Sequence, residues 1–393
     1  MRACEFCFIM PYHISENRGG GAEVQAWLLA KELVQRGYRV AYIAKSVTSK
    51  AGQTTTLDGV MVRWVKNTMR FPWLAASDYY HALLELSPSI VVQRMTSFET
   101  GVAAYYCRKK KVPFIWICTD NSAPFKWLFL KSQWRISKKA GQRWIKRLVF
   151  LASAVVTDFS RHYGMAHTSL AFTQNDFQKA ALVQSYGLKS SRMPSGHHLP
   201  VSLRAAEARL RERTILWVAN LGPRKRPELF VDLARQNRGN REWRFVMIGS
   251  RADKAYVQVL FNDKPDNLEW LGRLHFDEAL SWFDRAAWFV NTSVEEGEGF
   301  PNTFIQAWLR GVPVLTLGCD PDGVITRNGL GFVCDTIEEM DEVINRDWRP
   351  EVYEKLSGRV EEYAKQHHSI QVMTDYFLMQ IEQHGWIVKR LSK

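Results

Sequence analysis

Acidic residues are scarce in the first half of this 393-residue chain. Residues 1–200 hold 11 Asp and Glu against 27 Lys and Arg, and the remainder holds 29 against 26. The formal excess of +13 therefore belongs wholly to the first half. A one-sided basic segment points to an anionic surface or ligand: nucleic acid, membrane lipid or a phosphorylated substrate. Long apolar runs are missing too, which excludes a spanning helix of the usual length of about 18 residues or more. Glu5 interrupts the first apolar run and Pro11 follows it, so no signal peptide is expected. The six cysteines, Cys4, Cys7, Cys107, Cys118, Cys319 and Cys334, do not form a secreted disulfide framework. Cys4 and Cys7 have C-x-x-C spacing, but they fall on an expected strand, where positions three apart face opposite sides. Buried core thiols and a reducing cytoplasm are expected. No segment is of low complexity, and the length suffices for two domains with real cores.

The most informative stretch runs from Val290 to Val314. Trp288, Phe289 and Val290 end an apolar strand, and Glu295 to Phe300 form a loop crowded with Glu and Gly. Pro301 opens a helix that carries Phe304, Ile305, Trp308 and Leu309 at helical spacing, and Gly311 stops it. Val312 to Leu317 read as the next parallel strand. A strand, a Gly-bearing loop and a helix start make an anion site, because the first helix amides have no internal partners. Glu298 sits in that mouth, where a carboxylate would repel phosphate. The combination implies a ligand with an anionic part and a hydroxyl-rich neutral part, such as a nucleotide sugar.

Glu298, Gly299, Phe300 and Pro301, followed by Gln306, Ala307 and Gly311 to Val314, resemble the signature of the family 4 retaining glycosyltransferases. In that family two Glu residues at the spacing of Glu298 and Gln306 flank the donor, the first on the sugar and the second on the ribose. Glu298 matches the first. Gln306 is neutral, and it can still hydrogen-bond a ribose diol as donor and acceptor.

Taken in order, the first half opens with an apolar run, Phe6 to Met10, and a Gly-rich loop of Gly19, Gly20 and Gly21 before Ala22 and Glu23. A helix with Val24, Trp27, Leu28 and Leu33 follows, ended by Gly37, and Arg39 to Ala44 form a second strand. This β-loop-α-β unit lets the backbone approach a ligand phosphate at Gly20 and Gly21. Further strands are expected at Ile90–Val92, Phe114–Ile117 and Ala154–Thr157, with a helix over Val102–Cys107. Asp120 follows a strand end, where ligands of open parallel sheets bind, and is either a polar group of the ligand site or an Asp in a turn or helix cap. Within Phe125 to Val149, the residues Trp127, Leu130, Trp134, Trp144 and Leu148 fall on one helical stripe. Lys131, Arg135, Lys138, Lys139, Arg143, Lys146 and Arg147 lie mostly opposite. This segment is either an interfacial membrane anchor or a surface helix docked by its Trp stripe. Met193 to Pro200, with the unremarkable pair His197 and His198, reads as the interdomain linker.

In the second half, strand Ile215–Val218 runs into Asn220, Arg224, Lys225 and Arg226, with Pro227 in a first helical turn. Cations at a helix start oppose its dipole unless an anion sits among them. By the resemblance Lys225 binds the donor diphosphate. Asn220 stands where the family usually has Arg, a loss that Arg224 or Arg226 could offset. Gly249 and Ser250 end the next strand against the nucleotide. Leu268–Gly272 form another strand end, and Asp320 to Gly323 a tight turn. The last helix, about Gln371 to Val388, carries Met373, Tyr376, Phe377 and Ile381 at core spacing.

Strand–helix alternation in both halves implies an α/β protein with parallel sheets. The resemblance implies the GT-B architecture, two Rossmann-like domains facing a cleft: an acceptor-binding domain at 1–200, a nucleotide-sugar domain at 201–370, and a tail at 371–393 packing on the first. It also implies retaining, metal-independent transfer to a glycan, with Glu298, Lys225 and Asp120 as catalytic residues. The donor site would comprise Gly20, Gly21, Asn220, Arg224, Lys225, Gly249, Ser250, Gly299, Phe300, Pro301, Asn302, Thr303 and Gln306. No cofactor, metal or nucleic acid is expected. The acceptor would be a lipid-linked oligosaccharide in polysaccharide assembly, met on an anionic membrane face by Trp127 to Arg143. The alternatives are a GT-B nucleotide-sugar epimerase, which needs an acid/base set, a lectin-like relative, and a basic nucleic-acid-binding protein, for which no reading module stands in the chain.

Overall fold

The computed structural model describes residues 4–16, 20–48, 50–68, 71–139, 144–239, 243–250, 254–294, 298–346 and 348–386. The chain divides into two compact units, Met1–Ser195 with Ile370–Lys393, and Gly196–Ser369.

The first unit begins with β1 (Phe6–Ile9), α1 (Gly21–Gln35), β2 (Val40–Lys45), β3 (Thr54–Leu57) and β4 (Val60–Val65). It continues with α2 (Ala76–Leu86), β5 (Ile90–Gln93), α3 (Glu99–Lys110), β6 (Phe114–Ile117), α4 (Leu128–Lys139) and α5 (Trp144–Ala166). β7 (Leu170–Thr173), α6 (Asp176–Tyr186) and β8 (Ser190–Arg192) complete the first passage. The sheet order is β3-β4-β2-β1-β5-β6-β7-β8, parallel except for the β3–β4 pair. β1, β5, β6 and β7 are short and buried throughout, as strands covered on both faces must be. The antiparallel pair turns at Asp58 and Gly59, both at positive φ (47° and 79°), as a two-residue hairpin of the favoured twist requires.

The second unit runs α7 (Ala206–Glu212), β9 (Thr214–Val218), α8 (Pro227–Gln236), β10 (Arg244–Ile248), α9 (Lys254–Leu260), β11 (Leu268–Trp270) and α10 (Phe276–Arg285). Then come β12 (Ala286–Asn291), α11 (Asn302–Trp308), β13 (Val314–Leu317), α12 (Val324–Asn328), β14 (Gly331–Cys334), α13 (Ile337–Asn345) and α14 (Pro350–His368). Its sheet, β11-β10-β9-β12-β13-β14, is parallel throughout. The chain then re-enters the first unit as α15 (Ile370–Gln383). Met373, Phe377 and Ile381 of α15 sit in one core cluster with Phe6, Leu29 and Tyr42. Arg94, buried after β5, donates to Ser195 Oγ at 2.7 Å and lies 3.9 Å from Met373 Sδ, which joins α15 to the end of the first passage.

Three expectations are corrected. Ala154–Thr157 is not a strand but the middle of the 23-residue α5. α5 crosses α3 at small residues: a Cβ on Gly164 would come 2.5 Å from Thr100 O, and one on Gly101 would overlap Ser160. That close packing overrides the strand preference of Val155 and Val156. Cys4 and Cys7 do not face opposite sides, for Cys4 precedes β1 and both thiols join the same core cluster. All six cysteines are free and buried, and burial pushes Cys4 up to about 12. Third, the Trp-rich segment is not one stripe on one helix but two helices, α4 and α5.

Candidate functional site

In the second unit the loop after β9 and the loop after β12 meet. Lys225 Nζ pairs with Glu298 Oε1, which lies 73 residues away in sequence. The lysine side chain is 30 % exposed and the glutamate 13 %, so the pair borders solvent while being held from beneath. What holds it is Arg226. This residue takes the left-handed conformation (φ 44°) just before Pro227 starts α8. Its guanidinium donates from Nε to Thr292 O at 2.6 Å, and from Nη2 to Ser293 O at 3.2 Å and Leu317 O at 3.1 Å. These carbonyls lie at the carboxyl ends of β12 and β13. Thr292 Oγ1 accepts from Trp217 Nε1 at 3.0 Å and donates to Lys225 O at 2.7 Å. Val294 N donates to Arg224 O at 2.9 Å.

Arg226 is therefore consumed by the scaffold and does not stand in for the arginine missing at Asn220. Arg224 and Asn220 are exposed. Gly249 adopts φ 146°, and a Cβ there would overlap Ala219 O, so only glycine lets the ends of β9 and β10 approach. Its amide donates to Gly272 O at 2.7 Å, its carbonyl accepts from Trp270 Nε1 at 2.9 Å, and Ser250 O accepts from Leu221 N at 3.3 Å. Gly299, Phe300 and Pro301 are buried, Pro301 is the N-cap of α11, and Asn302 and Thr303 are half-buried in its first turn. Residues 295–297 lie outside the described residues. Gln306 is buried inside α11, and its carbonyl accepts from Arg310 Nη1 at 3.3 Å. The structure thus brings Lys225, Glu298 and the α11 start together. Arg226 and Thr292, which set the backbone of Lys225, were missed. The basic triplet announces Arg226 as a charge, but nothing in it announces carbonyl capping.

In the first unit Gly20 is the N-cap of α1, and Glu23 Oε2 accepts from its amide at 2.8 Å. Burial raises the Glu23 carboxyl above its ordinary range. Gly21 is exposed in the first turn. Asp120 follows β6, and its Oδ1 takes the amides of Ser122 (2.9 Å) and Ala123 (3.1 Å) and the hydroxyl of Ser122. Its Oδ2 accepts from Thr119 Oγ1 at 3.4 Å. The turn-cap role is thus present in the geometry.

Buried Asp158 of α5 caps α4, accepting from Leu130 N at 2.9 Å and Phe129 N at 3.3 Å. Its neighbour Arg161 donates to Phe125 O at 2.6 Å and to Ala123 O. Trp127 packs on Phe159 and His162 of α5, with ring centroids 5.4 and 4.9 Å apart. Trp134 and Trp144, by contrast, are 45 % and 70 % exposed. Ile136, Ile145, Leu148 and Val149 are exposed beside them, as are Lys131, Arg135 and Lys146, and Arg147 stacks on Trp134 at 4.5 Å. The side chains of Lys138 and Lys139, and Arg143 altogether, lie outside the described residues. Among the described residues no His, Cys, Asp and Glu cluster is arranged to hold a metal, and no helix is long and apolar enough to cross a membrane.

Comparison with known proteins bears on the family and the fold. The family model for Glycosyltransferase Family 4 matches residues 19–175, and that for glycosyl transferases group 1 matches residues 212–346. No curated protein matches the chain in sequence. Among solved structures, Anabaena HepE in complex with UDP-glucose aligns with a TM-score of 0.70 at 14 % identity, over 97 % of this chain and 100 % of that one. Sucrose-phosphate synthase from Thermosynechococcus elongatus aligns at 0.72 and 12 % identity, over 98 % and 99 %. The lipopolysaccharide outer core galactosyltransferase WaaB in its apo form aligns at 0.58 and 15 %, over 96 % and 99 %. Matched by one family model in its first unit and by the other in its second, the chain belongs to the family 4 glycosyltransferases of GT-B fold.

Proposed function

We propose that the protein is a retaining, metal-independent glycosyltransferase that moves a sugar from a nucleotide-diphospho-sugar to a lipid-linked glycan on the cytoplasmic face of a membrane, in polysaccharide assembly. The observation that carries the donor half is the meeting of Lys225 and Glu298 at the mouth of α11. The UDP-glucose bound by Anabaena HepE gives the donor class a precedent in the same fold. Lys225, Arg224 and the backbone amides entering α11 stabilise the diphosphate as the bond from the anomeric carbon to its oxygen breaks and the electron pair moves onto that oxygen. Glu298 accepts from sugar hydroxyls and orients the anomeric carbon. The acceptor hydroxyl attacks from the face the diphosphate leaves, and a donor phosphate oxygen takes its proton. Gly249 and Ser250 lie along the nucleotide, with Gln306 toward the ribose. By the family resemblance alone, Gly20 and Gly21 would serve donor affinity, and Asp120 the transfer step, through Oδ2, its less engaged oxygen.

The acceptor half rests on the exposed Trp134 and Trp144 among cations, an arrangement suited to an anionic leaflet. A thermal-shift screen with UDP, GDP, ADP, CMP and dTDP and their sugars tests the donor half. Ligand at a hundred times its dissociation constant stabilises by about 2.7 kcal/mol. One nucleoside diphosphate should raise the melting temperature, and Lys225→Ala should abolish the rise. Absence of any shift, together with salt-sensitive binding to DNA or RNA, would sink the transferase reading. The configuration of the product linkage by NMR, with and without EDTA, tests retention and metal independence.

A further inference from the structure

Phe300 stands two residues after Glu298 and just before Pro301, the N-cap of α11. Its ring is buried between Trp308 of α11, with centroids 6.1 Å apart, and His368, 4.9 Å apart and tilted by 30°. Trp308 is itself fixed, since its Nε1 donates to Leu330 O at 3.1 Å. His368 is the last residue of α14 and the last but one of the second unit. Its ring also meets Tyr363 at 5.9 Å, and Tyr363 meets Trp308 at 5.9 Å. His368 O accepts from His197 N at 3.0 Å, and Ser369 pairs with His197 in an isolated parallel bridge. The His197 ring in turn stacks on Phe276, the first residue of α10, at 6.1 Å and 16°. The two ends of the second unit are thus fastened together, and one of them lies against the loop that carries Glu298.

We propose that His368 is a positioning residue for Glu298, an assignment that deepens the donor reading above and rests on it. The His368 ring holds Phe300, and Phe300 fixes the backbone from which the carboxylate reaches the donor sugar. Lys225 Nζ holds Glu298 in the free protein. In the proposed reaction the lysine turns to the diphosphate and the carboxylate to sugar hydroxyls, so their pairing cannot set the carboxylate's place during transfer. The backbone must set it. Only Gly299 stands between Glu298 and Phe300, and glycine has no side chain with which to anchor the loop. The Phe300 ring is therefore the first buried side-chain anchor after the carboxylate. Of the two aromatic rings against it, Trp308 belongs to α11, the helix the loop leads into, whereas His368 comes from α14 and ties the loop to a separate element. A reacting group displaced by about 1 Å can cost roughly 100-fold in rate, so a ring that fixes this backbone bears on transfer without touching substrate.

The test uses the full chain and the nucleotide sugar whose diphosphate raises its melting temperature. His368→Ala should lower kcat roughly 10- to 100-fold. Affinity for the free nucleoside diphosphate should stay unchanged, because that ligand lacks the sugar Glu298 holds. His368→Phe keeps a flat ring against Phe300 and should recover most of kcat. His368→Leu, which fills the space without a flat ring, should show the loss even where the alanine variant does not fold. In Glu298→Gln the carboxylate is already gone, so adding His368→Ala should cost little more. Losses that multiply in the double variant overturn the assignment, as does an unaltered kcat in His368→Ala or an equal loss in the alanine and phenylalanine variants. Hydrogen exchange in the free protein reads the same contact without any substrate. His368→Ala should quicken exchange at the amides of Gly299 and Phe300 and leave that of β9 unchanged, and unchanged exchange at both amides overturns the assignment as well. Quickened exchange in a protein that binds no nucleoside diphosphate would keep the hold on the loop and remove the donor reading.

Discussion

Lys225 and Arg226 are adjacent cations with separate duties, and mutation should separate them. The Lys225–Glu298 pair borders solvent, where ion pairs contribute about 0–1 kcal/mol, so Lys225→Ala should leave stability nearly unchanged. It should lower kcat/KM by roughly 100- to 1000-fold, the usual effect of removing one group that stabilises developing charge. Arg226→Ala leaves the carbonyls of Thr292, Ser293 and Leu317 without their charged donor, which should cost about 2–3 kcal/mol. Arg226→Lys should not restore it, because a single ammonium cannot span three carbonyls on two strands. Urea denaturation beside donor kinetics distinguishes the two; equal stability losses in Lys225→Ala and Arg226→Ala would refute the division. A second residue ties stability to pH. His13 is buried among Trp27, Tyr42 and Trp64, with ring centroids 4.3 to 5.5 Å away, and Ser15 N donates to its Nδ1 at 3.1 Å. Burial, helped by Lys50, pushes its pKa down to about 4. The unfolded value is about 6.5, so the unfolded chain binds the proton first as pH falls. The stability of the neutral ring is thus complete above about pH 6.5, and about 3 kcal/mol is lost by pH 4. His13→Phe should flatten that part of the pH–stability profile, and an equally steep profile in the variant would count against His13.

At the scale of elements, α4 and α5 make a helical hairpin whose inner side is fixed and whose outer side is apolar and basic. Asp158 and Arg161 hold the inner side, and Trp127 packs there. Trp134 and Trp144 point outward into solvent. Trp134→Glu with Trp144→Glu should abolish co-sedimentation with anionic vesicles while leaving the melting temperature within about 2 °C, since exposed substitutions change stability by about 0.5 kcal/mol or less. Raising salt from about 0.1 to 1 M shortens the Debye length from about 10 to 3 Å and should weaken adsorption of the wild type to anionic vesicles. Adsorption that ignores both changes would remove the hairpin from the membrane reading. The hairpin also shows where sequence stops being legible. The amphipathic pattern from Phe125 onward was readable, but the packing of the start of α4 on α5 was not, because Asp158 and Arg161 hold it from well downstream. Ala154 to Thr157 looked like a strand on local preference, but it lies inside α5, which packs on α3 a turn or two further on, where Ser160 meets Gly101 and Gly164 meets Thr100. The β3–β4 hairpin went unread although Asp58 and Gly59 carry its turn signal. The buried parallel strands were legible because nothing but unbroken apolar runs can fill a doubly covered sheet. Lys225 and Glu298 were legible from their loops, while Arg226 was not, since its partners are backbone carbonyls without a sequence signature.

At the scale of the whole molecule, the chain enters the second unit once, at Gly196, and returns at Ile370. The return has a mechanical consequence for the first unit. Met373, Phe377 and Ile381 are 0–1 % exposed and complete the core that begins at Phe6 and Phe8. Removing a large core side chain costs about 2–5 kcal/mol, and deletion of α15 removes these three together with Ile370 and Leu378 of the same cluster. The loss is comparable with the whole stability of an ordinary domain, about 5–15 kcal/mol. A chain ending at Ser369 should therefore lose the calorimetric transition of the first unit. The second unit keeps its own sheet and its own Lys225–Glu298 pair, so its transition should persist and should still rise with the nucleoside diphosphate that stabilises the full chain. Vesicle adsorption and acceptor turnover should disappear together, because α4 and α5 belong to the unit that unfolds. If the nucleotide response vanished as well, while the second transition remained, the donor site could not be confined to the second unit. Gly20 and Gly21, at the start of α1, would then be required for donor affinity and not only for transfer.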